Sequence, residues 1–131
     1  MRRALGWGFA AGIAVAGASA APQLGPVEIV VVGNDAPSVP APCPQHITFR
    51  FKIKGAEGQV VTYRFVRSDG GKSATATVSL GLAGVVNAVN AITVGSASKM
   101  GMRSFDGWVK LEVVSPDAVT SAPSNFQMEC S

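Results

Sequence analysis

Between Ile47 and Lys54 apolar and polar residues alternate without a break, Ile47, Phe49, Phe51 and Ile53 against Thr48, Arg50, Lys52 and Lys54. Side chains of an extended strand point to opposite faces in turn, so this stretch has one face to bury and one for water. A half-wet strand must lay its apolar face on a second layer.

The rest of the chain supplies that layer. Gly55-Ala56-Glu57-Gly58 is a hairpin-length connection, and Val60–Arg67 then places Val61, Tyr63 and Phe65 opposite Thr62, Arg64 and Val66. Asp69-Gly70-Gly71 ends that strand with turn chemistry, because aspartate bonds its own backbone and glycine takes positive φ at little cost. A lighter alternation spans residues 75–80. In residues 82–94, Leu82, Val85, Val86, Val89 and Ile92 fit a helical stripe, but Gly81, Gly84 and Gly95 interrupt it and the Val, Asn and Thr content favours a strand. Gly95 to Ser104 reads as a loop, Trp108 to Val114 as a strand, Ser115-Pro116-Asp117 as a turn and Ser124 to Cys130 as the last strand. Upstream, Val27–Val32 is an edge strand between proline-stiffened segments carrying Pro22, Pro26, Pro37, Pro40 and Pro42.

About seven short strands and no clear helix predict an all-β, two-sheet antiparallel sandwich. With strands alternating up and down, the second begins at the end of the sandwich where the seventh finishes. That brings Cys43 and Cys130 together as one disulfide, although a closed barrel with the same alternation satisfies the pairing too.

The first twenty residues read as an address. Met1-Arg2-Arg3 is a positive segment, Ala4 to Gly17 an apolar core too short to span a bilayer, and Ala18-Ser19-Ala20 a small-x-small cleavage site. The expected organisation is a signal over residues 1–20 cleaved after Ala20, a proline-rich segment over 21–42 and a domain over 43–131. The expected location is secreted or periplasmic, without a stable membrane anchor. Arg2-Arg3 leaves the twin-arginine route open beside the general one. Without Arg2 and Arg3, nine basic residues face eight acidic ones, so the net charge falls from +3 to +1. A nucleic-acid partner is not expected, because phosphate binding needs a cluster of cations. An oxidising destination agrees with the cystine reading.

Cys43-Pro44, Thr62-Tyr63-Arg64-Phe65-Val66-Arg67-Ser68-Asp69-Gly70, Gly107-Trp108, Leu111-Glu112-Val113 with Ser115-Pro116, and a close at Phe126 and Cys130 resemble the immunoglobulin-like modules of secreted bacterial proteins. The resemblance covers about residues 43–130. It implies an immunoglobulin-like sandwich with a non-catalytic role at or outside the cell envelope. Two departures from antibody-type domains are visible. The cysteines stand at the start of the second strand and the end of the last, not across the sheets, and the third strand carries Tyr63 and Phe65 where a core tryptophan would stand.

Catalytic combinations are scarce. A Ser-His-Asp set would have to use His46, the single histidine, with a serine such as Ser68 and an acid such as Asp69, and no Gly-x-Ser-x-Gly elbow occurs. Asp35, Glu57, Asp69, Asp106 and Asp117 each sit by a turn residue or in a loop, where solvation explains them. No calcium-loop pattern occurs, and one histidine cannot build a blue-copper centre. No enzyme activity, cofactor or metal is expected.

Binding surfaces remain. Arg50, Lys52 and Lys54 form a row that would meet a protein or an anionic envelope polymer, though lysines on a wet strand face also simply deter edge pairing. Alternation groups Trp108 with Lys110 and Glu112, so Trp108 is either an exposed platform for a sugar or protein, or core. A carbohydrate-binding sandwich using Trp108 is therefore the alternative function. Lys99, Met100 and Met102 lie in the glycine-rich loop, a third candidate contact or plain connecting chain.

Overall fold

The computed structural model describes residues 27–96 and 103–131. Eight strands follow one another, with no helix among the described residues: β1 (Glu28–Asn34), β2 (Gln45–Lys54), β3 (Val60–Arg67), β4 (Ala76–Ser79), β5 (Val85–Val94), β6 (Ser104–Ser115), β7 (Val119–Thr120) and β8 (Ser124–Glu129). β2 realises its alternation fully: Ile47, Phe49, Phe51 and Ile53 are buried while Arg50, Lys52 and Lys54 are exposed.

The strands form two antiparallel sheets. One has the order β1-β2-β5; the other has the order β4-β3-β6, and β7 and β8 share the far edge of β6. Among the described residues β5 pairs with β2 alone, so they form an open sandwich rather than a closed barrel. The inner faces meet through Phe51 and Phe65, with ring centroids 5.8 Å apart, and through the edge-to-face pair of Phe49 with Phe126, also at 5.8 Å. Val61, Val109, Leu111, Val113 and Met128 complete the contact from the second sheet. Val27 belongs to this core as well, so β1 and its approach are part of the same compact unit as the chain beyond residue 43.

Residues 85–94 form a strand as their composition suggests, and Leu82 lies in the Gly81–Gly84 turn, 85% exposed. Two elements differ from the sequence reading. β6 begins at Ser104, four residues earlier than Trp108, because β8 pairs along its first half and the Phe126 ring lies against Gly107, compensating for the missing side chain. The eighth strand, β7, is too short for periodicity to reveal. It is defined by Ser121, whose hydroxyl accepts from Leu111 N–H at 3.0 Å and donates to the Ala122 carbonyl at 2.7 Å, ending one strand pairing before β8 begins the next.

Cys43 and Cys130 are disulfide-bonded with Cα atoms 5.5 Å apart. Cys43 precedes β2 in one sheet and Cys130 follows β8 in the other, so the bridge does join the sheets, at their end rather than through the core. Gly95, just past β5, closes over it; a Cβ there would come within 2.7 Å of Cys43 Sγ. Ala41 runs parallel to Cys130 beside the bridge, its N–H donating to the Glu129 carbonyl at 3.0 Å. Asn34 adds a second tie: its amide donates to Ser124 Oγ and to the Asn125 carbonyl, both at 2.9 Å, connecting β1 to β8.

Candidate functional site

At the disulfide end, β3 stops at Arg67 because Asp69 turns the chain. The Asp69 carboxylate accepts from Gly71 N–H at 2.8 Å, and Gly70, at φ +89°, donates back to the Arg67 carbonyl at 3.0 Å. The Arg67 guanidinium then grips the same carboxylate through Nε and Nη2, each at 3.1 Å. These donors hold the Asp69 carboxyl below its ordinary range, the Arg67 hydrogen bond contributing most and the Gly71 N–H next. Ser68 locks the turn to β6: its N–H donates to the Trp108 carbonyl at 3.0 Å, and its Oγ accepts from Trp108 N–H at 3.1 Å.

This turn forms one wall of a cleft of about 600 Å³ between the sheets. Ile92 and Val94 of β5 form the opposite wall, Phe105 and Phe126 contribute aromatic surface, and Asp106 and Trp108 also line the cleft. β4 ends its pairing at Tyr63, so the lower half of β3 lacks a full neighbour and the sandwich stays open beside it. The cleft is amphipathic, with apolar rings between the sheets and a fixed ion pair at the mouth. Such a shape suits a small or extended ligand with both kinds of surface.

Trp108 is half-buried on the outer side of β6, where alternation grouped it with Lys110, and Lys110 Nζ stands 4.6 Å from its ring centroid. That contact occupies part of the indole π-surface and competes with a stacked sugar. Arg50, Lys52 and Lys54 lie elsewhere, on the outer face of the other sheet, so the basic row and Trp108 are not one site. Lys99, Met100 and Met102 lie outside the described residues. His46 is exposed, its Nδ1 3.0 Å from Thr93 Oγ1 on the paired strand. Among the described residues no three His, Cys, Asp or Glu side chains gather as a metal site.

Sequence reasoning overlooked Phe105 and Phe126 as cleft residues and the Arg67–Asp69 pair as a fixed group. The spacing Arg-Ser-Asp-Gly-Gly was the available signal, since a two-residue separation across a tight turn lets an arginine reach back to its aspartate. Comparison with protein-family models, curated proteins and solved structures finds no match.

Proposed function

We propose that the chain is an exported, immunoglobulin-like, non-catalytic module with a binding or structural role at the cell envelope or outside the cell. The observation that carries this reading is the Cys43–Cys130 bridge, which joins the two sheets at the end where the cleft opens. A disulfide is compatible with an extracytoplasmic compartment, where a chain led by Met1-Arg2-Arg3 and its apolar core would arrive. Two sheets presenting a cleft and exposed strand faces support recognition through a surface.

Incubation with ester, glycoside and peptide substrates tests the non-catalytic part. The expected result is no turnover above background; turnover abolished by His46→Ala would contradict it. The second reading, glycan binding through Trp108, is favoured by the half-exposed indole in the cleft lining and opposed by the Lys110 contact. Screening envelope and plant glycans against the protein and Trp108→Ala separates the two: binding lost with the indole supports the glycan reading, and absence of binding rejects it.

A further inference from the structure

Among the described residues β5 is a ten-residue sheet edge with no charged residue, no proline and no break in its register against β2. These are the devices by which proteins usually blunt an open edge. The other edges have them: β1 carries Glu28 and a bulge at Val32, β4 and β7 are four and two residues long, and Ala41 and Asn34 cover parts of β8.

The direction of the free groups follows from β2. Thr48 uses both its N–H and its carbonyl toward Asp35, on the β1 side, so even-numbered β2 residues address β1 and odd-numbered ones address β5. Ile47 pairs with Ile92, Phe49 with Asn90 and Phe51 with Ala88, so the even-numbered residues of β5 bond to β2. The N–H and C=O groups of Val85, Asn87, Val89, Ala91 and Thr93 therefore point off the sheet, in register to accept another strand.

The neighbouring face determines which strand. Arg50 stands between Gly33 and Val89, and Lys52 between Val30 and Asn87. Neither cation takes part in an ion pair among the described residues. A strand added to β5 would lie roughly 10 Å from β2, two inter-strand spacings. Carboxylates on its outer face would then meet the long Arg50 and Lys52 side chains across the short residues Asn87, Val89 and Ala91. Its other face would continue the inner surface, beside Ala88 and Ile92 and over the cleft. We propose that β5 is a docking edge for strand addition by an extended protein segment that alternates apolar with acidic residues, apolar side inward and acidic side over Arg50 and Lys52. This rests on the reading of the chain as a binding module and gives that module its partner chemistry.

The test is titration of the oxidised protein with a ten-residue peptide alternating valine and glutamate, followed by amide chemical shifts and hydrogen exchange. The expected result is slowed exchange at Asn87, Val89 and Ala91 and weaker binding of the valine–lysine twin. The double variant Arg50→Gln, Lys52→Gln should lower affinity roughly 2- to 30-fold, the scale of two charge pairs within one sheet. Ala91→Pro removes a free donor without touching the ladder to β2 and should abolish binding. Should that variant fold poorly, Val89→Glu, which puts a carboxylate beside Arg50, should weaken the acidic peptide instead. Equal binding of both peptides, protection away from β5, or a dimer formed edge to edge through β5 would overturn the proposal. Any of these leaves the exported-module reading standing, since that reading is decided by processing and by turnover.

Discussion

Replacing Cys43 and Cys130 together by alanine should cost this protein a large share of its stability. The bridge closes a loop of 87 residues of separation. Chain entropy for a loop of that length gives about 4.6 kcal/mol at 25 °C. Single domains are stable by only about 5–15 kcal/mol. The unfolding entropy of roughly a hundred residues is about 0.2 kcal/mol/K, so the melting temperature should fall by about 20 °C. Circular dichroism melts and urea titrations of the oxidised protein and the double variant measure both quantities. The variant should also show a larger m-value, because its unfolded chain is freer to expand and expose surface. A loss under about 1.5 kcal/mol with an unchanged m-value would refute the reasoning, since it would mean the bridge does not restrict the unfolded chain.

Three further outcomes follow from local geometry. Gly84→Ala should cost about 2–4 kcal/mol in urea titration, because Gly84 sits at φ +68° with its Cβ position 2.5 Å from the Gly55 carbonyl oxygen; Gly81→Ala, at a similar φ in open space, should cost only about 1 kcal/mol. Phe49→Ala should cost about 3–5 kcal/mol by removing a buried ring that meets Phe126, whereas Arg50→Ala on the opposite face should stay within about 0.5 kcal/mol. The folded-state pKa of Asp69 lies below its ordinary 3.8, so its contribution is fully present above that pH and lost as pH falls through the lower folded value. Asp69→Asn should therefore flatten the acid limb of the stability curve slightly, as measured by urea midpoints from pH 5 to about pH 2.

What the sequence revealed depended on how local the cause was. β2 and β3 were legible because each carries its own period-two pattern, and β5 because Val, Asn and Thr favour extended chain over an interrupted helical stripe. The cystine was legible because alternating strands put residues 43 and 130 at one end of the sandwich, and the unforeseen β7 leaves that intact because β7 and β8 both run antiparallel to β6. The first four residues of β6 were hidden by Gly107, whose place in a strand depends on Phe126 nineteen residues later. Asn34 and Ser121 were hidden for the same reason: their partners, Ser124 and Leu111, are supplied by the fold rather than by neighbours in the chain. Alternation grouped Trp108 with Lys110 and Glu112, and the structure adds the cation over its ring. The basic row was visible as three like charges, but its setting was not. Strand order is a property of the whole sheet, and only that order puts Arg50 and Lys52 one strand inboard of an unguarded edge.

Export of the chain, as proposed, and the cystine that joins one end of its sandwich are tested together by the intact mass of the protein recovered from its producing cells. The predicted species, outside the cytoplasm, has the mass of residues 21–131 less two hydrogens. A full-length cytoplasmic species carrying two free thiols would contradict it.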